Sequence, residues 1–382
     1  MRPPEQVVAA LAGLTAPVCA YVYDTRALRE RAAAVRAALP AGTTLLYAVK
    51  ANGNPAVVRT LAEVCDGLEV ASGGELQLAV AAGARRVVFG GPAKTDAELA
   101  AALAAGAQLN VESRHELLRL DRAARAAGIV TDAAIRVNRA GPALPGSHAM
   151  TGTPTPFGVD ESQLPGLLAT PLSNVRIVGF HLHAVSNNLD AGAHRAFIAD
   201  SLAWSMATAG RHGIALRLVN VGGGLGVDYL SDATIDLDSL SEGLVVPAGV
   251  ELIVEPGRIL AADAGWYAAE VLDLKQTHGR WFAVLRGGTH HFRLPAAWGY
   301  SHPFTVLNVD HWPYDWPRPQ IGDVTVDAVG ELCTPRDVLA RDQPVTRLRV
   351  GDVLVFGRTG AYGWDISHHE FLRHPPPEFL VL

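Results

Sequence analysis

Eight strand-like segments alternate with helix-like segments between about residues 26 and 265, and this alternation restricts the possible folds most strongly. Several of these segments are apolar on consecutive residues, which is typical of parallel strands that are covered on both faces. An α/β fold, the (β/α)8 TIM barrel, is therefore predicted. A doubly wound sheet is less consistent, because the glycine-rich VGGGLG follows a late strand and not the first one. In chain order the segments are TTLLYAVK, GLEVAS, RRVVFGG, AQLNVES, AAIRVN, VRIVGFHLHAVS, LRLVNVGGG and VELIVEPGR.

The pattern changes after about residue 265. WYAAEVLDLKQTHGRWFAVLRGG, GDVTVDAVGELC and VTRLRVGDVLVFGRTGAY consist of short strand-like runs separated by Gly and Asp turns, without a helical repeat. We expect a barrel over residues 26–265 and a C-terminal all-β domain over residues 266–382. The first 25 residues carry the short strand CAYVYD and are expected to join that β-domain.

Composition excludes several classes of partner. The formal net charge of −6 and the pI of about 6.2 provide no basic surface for nucleic acid. We find no apolar run of the roughly 18 residues that a membrane span requires. The cysteines Cys19, Cys65 and Cys333 lack the spacing of a metal site, so no metal is expected, and a reduced, cytoplasmic location is the simplest interpretation.

Polar and charged residues recur at the carboxyl ends of the predicted strands, where barrels of this type carry their reactive groups. Any one of them could be an ordinary loop residue, but their repeated placement indicates a site. A lysine amine that is partly desolvated there can form a Schiff base with a carbonyl. Three glycines after a strand allow backbone N–H groups to surround a phosphate. The candidates are Lys50, Glu69 with Ser72, Arg136, His181 with His183, Gly222 to Gly224, and Glu255 with Arg258.

Taken together, the motifs resemble those of a known family. YAVKAN, LEVASGGEL, HLHAVS, VGGG, EPGR, ELCTPRD and GAY occur in the order found in fold-type III pyridoxal-phosphate (PLP) decarboxylases. This family includes the diaminopimelate, ornithine and arginine decarboxylases. The resemblance covers nearly the whole chain. It implies an alanine racemase-like PLP-binding barrel, a β-domain, and a homodimer with shared active sites.

The resemblance also implies roles for individual residues. Lys50 would hold PLP as an internal aldimine, and His183 would stack on the pyridine ring. Glu69 takes the place of a family acid, and Arg136 could pair with it. The residues expected at the phosphate are Ser186, Gly222, Gly223, Gly224, Arg258 and Tyr362.

Glu255 indicates the type of reaction. A carboxylate beside the pyridine nitrogen keeps that nitrogen protonated, so that the ring accepts the electrons released when a Cα bond breaks. The related alanine racemases have an arginine there, so Glu255 favours decarboxylation. In the family pattern Cys333 reaches the active site of the other subunit and helps to deliver the Cα proton. Considered alone, Cys333 could equally be a small buried apolar residue.

Departures from the family pattern suggest the class of substrate. Decarboxylases of basic amino acids have an acid after the cysteine, where this chain has Thr334. The usual lysine before FG is replaced by Pro156, and a usual glycine by Val185. The segment RGGTHHFRLPAAWGYSHPF is basic and suits carboxylates, although it could also be a histidine-bearing surface loop. The predicted substrate-binding residues are His290, His291, Arg293, Thr334 and Arg336.

This segment resembles decarboxylases of carboxylate siderophore pathways, which act on a citryl conjugate of 2,3-diaminopropionate. The first alternative is a diaminopimelate decarboxylase of lysine biosynthesis. A second alternative decarboxylates an amino acid that is held as an amide or as a carrier thioester. A non-catalytic PLP-binding regulatory protein is the alternative outside the enzymes, and the presence of both Lys50 and Cys333 speaks against it.

Overall fold

A computed structural model of the chain describes residues 2–141, 144–231 and 233–382. The chain divides into two compact units. One unit comprises the described parts of residues 1–27, 228–233 and 261–382, and the other comprises those of 28–227 and 234–260. The first unit opens with helix α1 (Glu5–Ala12) and strand β1 (Cys19–Tyr23).

The second unit contains a closed parallel barrel. The strands of this unit are β2 (Thr44–Ala48), β3 (Gly67–Val70), β4 (Val87–Phe89), β5 (Gln108–Val111), β6 (Thr131–Asn138), β7 (His148–Ala149), β8 (Val159–Asp160), β9 (Val175–His181), β10 (Val185–Ser186), β11 (Leu218–Asn220) and β12 (Glu251–Val254). Of these, β7 and β10 form a separate antiparallel pair, and β8 pairs with β6 outside the ring. Barrel neighbours follow the order β5-β4-β3-β2-β12-β11-β9-β6, and β6 pairs with β5 to close the ring. The predicted barrel is thereby confirmed, and an open doubly wound sheet is excluded.

The helices of this part of the chain begin directly after the strands. They are α2 (Thr25–Ala38), α3 (Pro55–Val64), α4 (Gly73–Ala81), α5 (Asp96–Ala104), α6 (Arg114–Ala126), α7 (Leu164–Leu168), α8 (Ala191–His212) and α9 (Arg258–Ala261). Side chains of Asn54, Ser72, Thr95 and Ser113 accept backbone N–H bonds at the first turns of α3 to α6. These N-caps fix where each helix starts, so the strand-to-helix connections stay short.

The barrel interior is apolar in its middle. Alternate strand positions supply one buried cluster, made of Leu46, Val88, Ala134, Val178, Leu218 and Ile253. This layer separates the two ends of the barrel, as is typical of the fold. Polar side chains that follow the strands are therefore confined to the carboxyl end.

The first unit is built mainly from β-strands. Its remaining elements are β13 (Gly265–Thr277), β14 (Arg280–Leu285), α10 (Leu294–Trp298), β15 (Phe304–Leu307), β16 (Gln320–Ile321), β17 (Val324–Val329), β18 (Val338–Val345), β19 (Leu348–Arg349), β20 (Val353–Phe356) and β21 (Glu378–Val381). The main sheet has the order β15-β20-β13-β14-β17-β18. The β-domain prediction is confirmed, although the short helix α10 makes this unit mainly β and not purely β.

Strand β1 belongs to the same sheet. It pairs antiparallel with β13 and parallel with β21, so the two ends of the chain lie side by side. Trp266, Val353 and Val355 pack with apolar residues of α1 and β1 in one buried cluster. The described helices include none that is both long and apolar enough to cross a membrane.

Candidate active site

Lys50 lies in a helical turn, Val49–Ala51, directly after β2. The hydroxyl of Tyr47 donates to the carbonyl oxygen of Asn52 (2.9 Å), and the Asn52 N–H donates to that of Val49 (3.0 Å). These bonds fix the turn on the strand. The Nζ atom of Lys50 donates to Oε2 of Glu69 (3.1 Å), and the lysine side chain is 45% exposed. A reactive amine is thus held by a buried carboxylate and stays accessible.

Glu255 follows β12, and its side chain is only 4% exposed. The Asn220 amide donates to Oε1 of Glu255 (2.5 Å), and Nε2 of His181 lies 3.5 Å from Oε2. Burial, followed by repulsion from Glu69, raises the pKa of Glu255 to about 7. A buried carboxyl group with this pKa can share a proton with a basic ring nitrogen at neutral pH.

His183 is fixed in a neutral, defined tautomer. Its Nδ1 atom accepts the N–H of Gly223 (3.2 Å), so the ring proton lies on Nε2. Burial, then the charges of Arg136 and Lys50, lower the pKa of His183 well below its ordinary value. The uncharged imidazole suits a stacking role on a flat ring. That role stays a prediction.

The triple glycine permits a very tight backbone turn. A Cβ atom would lie 2.4 Å from Nδ1 of His183 at Gly222 and 2.6 Å from the Val185 carbonyl oxygen at Gly224, and both residues have positive φ. Only glycine fits there. The N–H groups of Gly222 and Gly223 already donate to Asn220 Oδ1 and His183 Nδ1. The prediction that they bind phosphate stays untested.

The remaining cofactor candidates occupy several positions. Ser186 lies in β10, which pairs with β7, and its carbonyl oxygen accepts the Ser147 N–H (2.8 Å). Arg258 begins α9 and is buried. Tyr362 belongs to the other unit, where its positive φ of 54° marks a constrained loop. The phosphate roles of these residues stay predictions.

One predicted pairing was wrong. Arg136 does not pair with Glu69, because the Glu69 carboxylate is bound by Lys50. Arg136 instead donates to Oε1 of Glu112 (2.8 Å), which follows the neighbouring strand β5. Glu112 and Asn220 were not predicted from the sequence. Both stand at the ends of recognised strands, so their position was the available signal.

Cys333 is exposed and lies in a loop between β17 and β18. The carboxylate of Asp337 closes this loop: Oδ2 accepts the Leu332 N–H (2.8 Å), and Oδ1 accepts the Thr289 N–H (2.6 Å). Asp337 itself is buried. One side chain thus fixes both the cysteine loop and the segment that follows β14.

We expect Asp337→Ala to destabilise the protein by about 2–4 kcal/mol, because two buried N–H groups lose their acceptor. The midpoint of chemical unfolding measures this. Asp273→Ala, which removes a half-exposed surface partner of Lys275, is the control and should change stability by less than about 0.5 kcal/mol. Equal effects of the two substitutions would contradict the role of Asp337 in fixing the cysteine loop and the segment after β14.

The predicted substrate residues separate into two groups. Arg293, Thr334 and Arg336 line one cavity of about 1050 Å³. His290 and His291 are buried and do not line it; their rings lie 3.9 Å apart. Nε2 of His290 is 3.5 Å from Oε1 of Glu331, and Nδ1 of His291 is 3.3 Å from Sγ of Cys19. Contact of these two histidines with substrate stays a prediction.

Among the described residues, no group of three or more His, Cys, Asp or Glu side chains is arranged to hold a metal ion. The family comparison identifies the cofactor class instead. Residues 25–262 match the model of the pyridoxal binding domain of pyridoxal-dependent decarboxylases. The chain belongs to this family. It is therefore a PLP-dependent carboxy-lyase by descent and fold.

Relatives of this decarboxylase match it over 94% or more of the chain. A Staphylococcus aureus 2-[(L-alanin-3-ylcarbamoyl)methyl]-2-hydroxybutanedioate decarboxylase is 39% identical, over 100% of this chain and 98% of its own length. The Aquifex aeolicus diaminopimelate decarboxylase is 33% identical over 94% of this chain and 86% of its own. The structure of Helicobacter pylori diaminopimelate decarboxylase with L-lysine aligns with a TM-score of 0.85 and 27% identity, covering 99% and 93% of the two chains.

The barrel residues of this decarboxylase fit PLP. The buried Glu255 has a raised pKa and would be stabilised as a carboxylate by a protonated ring nitrogen. His181 beside it is buried, and its pKa is lowered well below the ordinary value by burial and then by Arg136, so it offers no cation in its place. An accessible amine, a neutral imidazole and a buried acid with a raised pKa are the groups that a pyridine aldehyde requires.

Proposed function

We propose that the enzyme decarboxylates a citryl conjugate of 2,3-diaminopropionate in carboxylate siderophore biosynthesis. The observation that carries this proposal is the cavity beside the cysteine loop, which is lined by Arg293, Thr334 and Arg336 and has no acid among its described lining residues. The printed name of the S. aureus relative describes such a conjugate, in which citrate is joined by an amide to C3 of alanine. Its citryl end carries two carboxylates, which suit guanidinium groups.

Bound PLP supplies an electron sink for the bond that breaks at Cα. The residues proposed to hold it are Lys50 at the aldehyde carbon, His183 on the ring face, Glu255 at the ring nitrogen, and Ser186, Gly222, Gly223, Gly224, Arg258 and Tyr362 around the phosphate.

Glu255 controls the protonation of the ring nitrogen in this proposal. Burial and repulsion from Glu69 raise the pKa of its carboxyl group. A proton is therefore favoured either on a carboxyl oxygen of Glu255 or on the PLP ring nitrogen beside it. Asn220 fixes the orientation of the carboxyl group through Oε1. Oε2 is therefore the oxygen that would face the protonated ring nitrogen.

Glu69 orients the amine of Lys50. The 3.1 Å contact between Nζ and Oε2 of Glu69 holds the amine at the end of β2. We propose that Cys333 donates the Cα proton across the interface of a homodimer, because Cys333 is exposed on a loop that Asp337 holds in place.

The preference between substrates tests the proposed function. We expect kcat/KM for CO2 release from citryl-diaminopropionate to exceed that from diaminopimelate by about 100-fold or more, since the citryl end has one more distal carboxylate and charge-assisted bonds to it contribute about 1.5–3 kcal/mol each. The distal ammonium of diaminopimelate finds no acid among the described cavity residues. The opposite preference would establish the diaminopimelate alternative, and absence of release from either would favour a carrier-linked substrate or a regulatory protein.

A further inference from the structure

The cavity of the β-rich unit contains more positive charge than the predicted residues supply. Its lining also includes Arg341 of β18 and His368, neither of which the motifs indicate. Together with Arg293 and Arg336, this makes three guanidinium groups and one imidazole around about 1050 Å³. No Asp or Glu belongs to the lining that the structure describes.

These arginines are poorly compensated. Arg293 and Arg336 are exposed, and neither forms an ion pair with any residue that the structure describes. NH1 of Arg341 lies 3.8 Å from Oδ2 of Asp327, but that carboxylate is already bound by Arg280 through contacts of 2.8 and 3.1 Å. The Arg341 side chain is 57% exposed. Three cations that line one cavity, without an acid among the lining residues that the structure describes, form a site for an anion with several charges.

The backbone that carries Arg341 is rigid. The Ser301 hydroxyl donates to the Arg341 carbonyl oxygen (3.0 Å) and accepts the Arg341 N–H (2.7 Å). Ser301 and Arg341 both line the cavity, as do the hydroxyl-bearing residues Thr289, Tyr300 and Thr334. A guanidinium on a fixed strand can bind a carboxylate with two parallel bonds, and hydroxyl groups suit an alcohol beside it.

We infer that Arg341 is a specificity-determining residue, which binds, with Arg293 and Arg336, the paired carboxylates of a hydroxylated citrate-type group in this cavity. The inference rests on the proposed function for the source of that group, which is the distal end of the substrate. Free citrate has the same chemistry and is the competing source. The reacting amino-acid end needs none of these arginines.

Arg341→Gln tests the role of the side chain, because it keeps the backbone bonds to Ser301. We expect KM for citryl-diaminopropionate to rise about 10- to 100-fold while kcat changes less than about threefold. Arg341→Lys should recover only part of the loss, since lysine keeps the charge without the planar fork. Arg347→Gln is the matched control: this arginine bonds Asn308 outside the cavity and should leave KM unchanged.

A binding measurement separates this inference from the proposed function. Citrate is titrated into the holoenzyme by calorimetry, and Arg341→Gln should weaken its binding about tenfold or more, whichever amino acid the enzyme decarboxylates. Arg336→Gln, a change at an exposed residue, should give a similar loss and replaces the first variant if that one does not fold. An unchanged KM together with unchanged citrate binding in these variants overturns the inference, and so does an equal loss in Arg347→Gln. A preference for diaminopimelate with retained, arginine-dependent citrate binding overturns only the proposed function.

Discussion

Lys50→Ala is expected to abolish covalent attachment of PLP and to lower kcat for decarboxylation by about 10⁴-fold or more. Lys50 supplies the amine at the carboxyl end of β2, and alanine has no amine to replace it. Borohydride reduction followed by peptide mass spectrometry measures the attachment. PLP can still bind non-covalently through the ring and phosphate contacts. The relevant readout is therefore the absence of the covalent PLP label on the Lys50 peptide, not the absence of bound PLP.

The other lysines provide the internal control. Lys94 is buried, pairs with Glu116 (2.6 Å), and donates to the carbonyl oxygens of Gly91 and Asn110, so its amine is fully used. Lys275 lies on the surface of the other unit beside Asp273. Lys275→Ala should retain full labelling and activity. A label on a peptide containing Lys94 or Lys275 would show that the lysine assignment is wrong.

Glu255→Gln is expected to lower kcat by about 10²- to 10⁴-fold while the affinity for PLP falls less than about tenfold. Glutamine keeps the size of the side chain and a hydrogen bond to the ring nitrogen, but it cannot hold that nitrogen in the protonated form. Comparable losses of rate and affinity would contradict the proton-holding role. Steady-state kinetics at saturating PLP and fluorescence titration of the coenzyme measure the two quantities.

Glu255→Gln should also change how the stability of the apoprotein depends on pH. Since burial and Glu69 raise the folded pKa of Glu255 from 4.5 to about 7, the folded protein binds the proton more tightly than the unfolded chain. The stability that this provides is fully present below pH 4.5 and is lost as the pH rises to about 7, by roughly 3 kcal/mol. Glu255→Gln apoprotein should lack this decline. Chemical unfolding at pH 5 and pH 8 provides the comparison.

The sequence predicts the barrel well because its strands are short runs rich in apolar residues, and most of them have a polar or charged residue at or near the carboxyl end. Lys50 and Glu255 could be located from their own strands alone. The residues that follow each barrel strand lie at the same end of the barrel. The partner of Arg136 could not be located in this way. Either Glu69 or Glu112 could be this partner. Lys50 binds Glu69 and Glu112 follows the strand next to that of Arg136, and both facts depend on the assembled barrel.

The β-rich unit was harder to predict at the level of single residues. Arg341 lies within β18, where an arginine in a strand reads as an ordinary solvent-facing residue. Its place in the cavity depends on how the cysteine loop, α10 and the segment around His368 fold together. Asp337 was visible in the ELCTPRD motif, but the two backbone groups that it binds are far apart in the sequence.

The position of Asp337 has a consequence for how such an enzyme can acquire new substrates. Its carboxylate binds the main chain of the Cys333 loop at Leu332 and that of the segment after β14 at Thr289, without using the side chain of Thr334 or Arg336. These two cavity-lining side chains can therefore be exchanged while the bonds of Asp337 to the main chain are kept. With the roles proposed above, substrate selectivity and proton delivery would lie on one hairpin and could still change independently of each other.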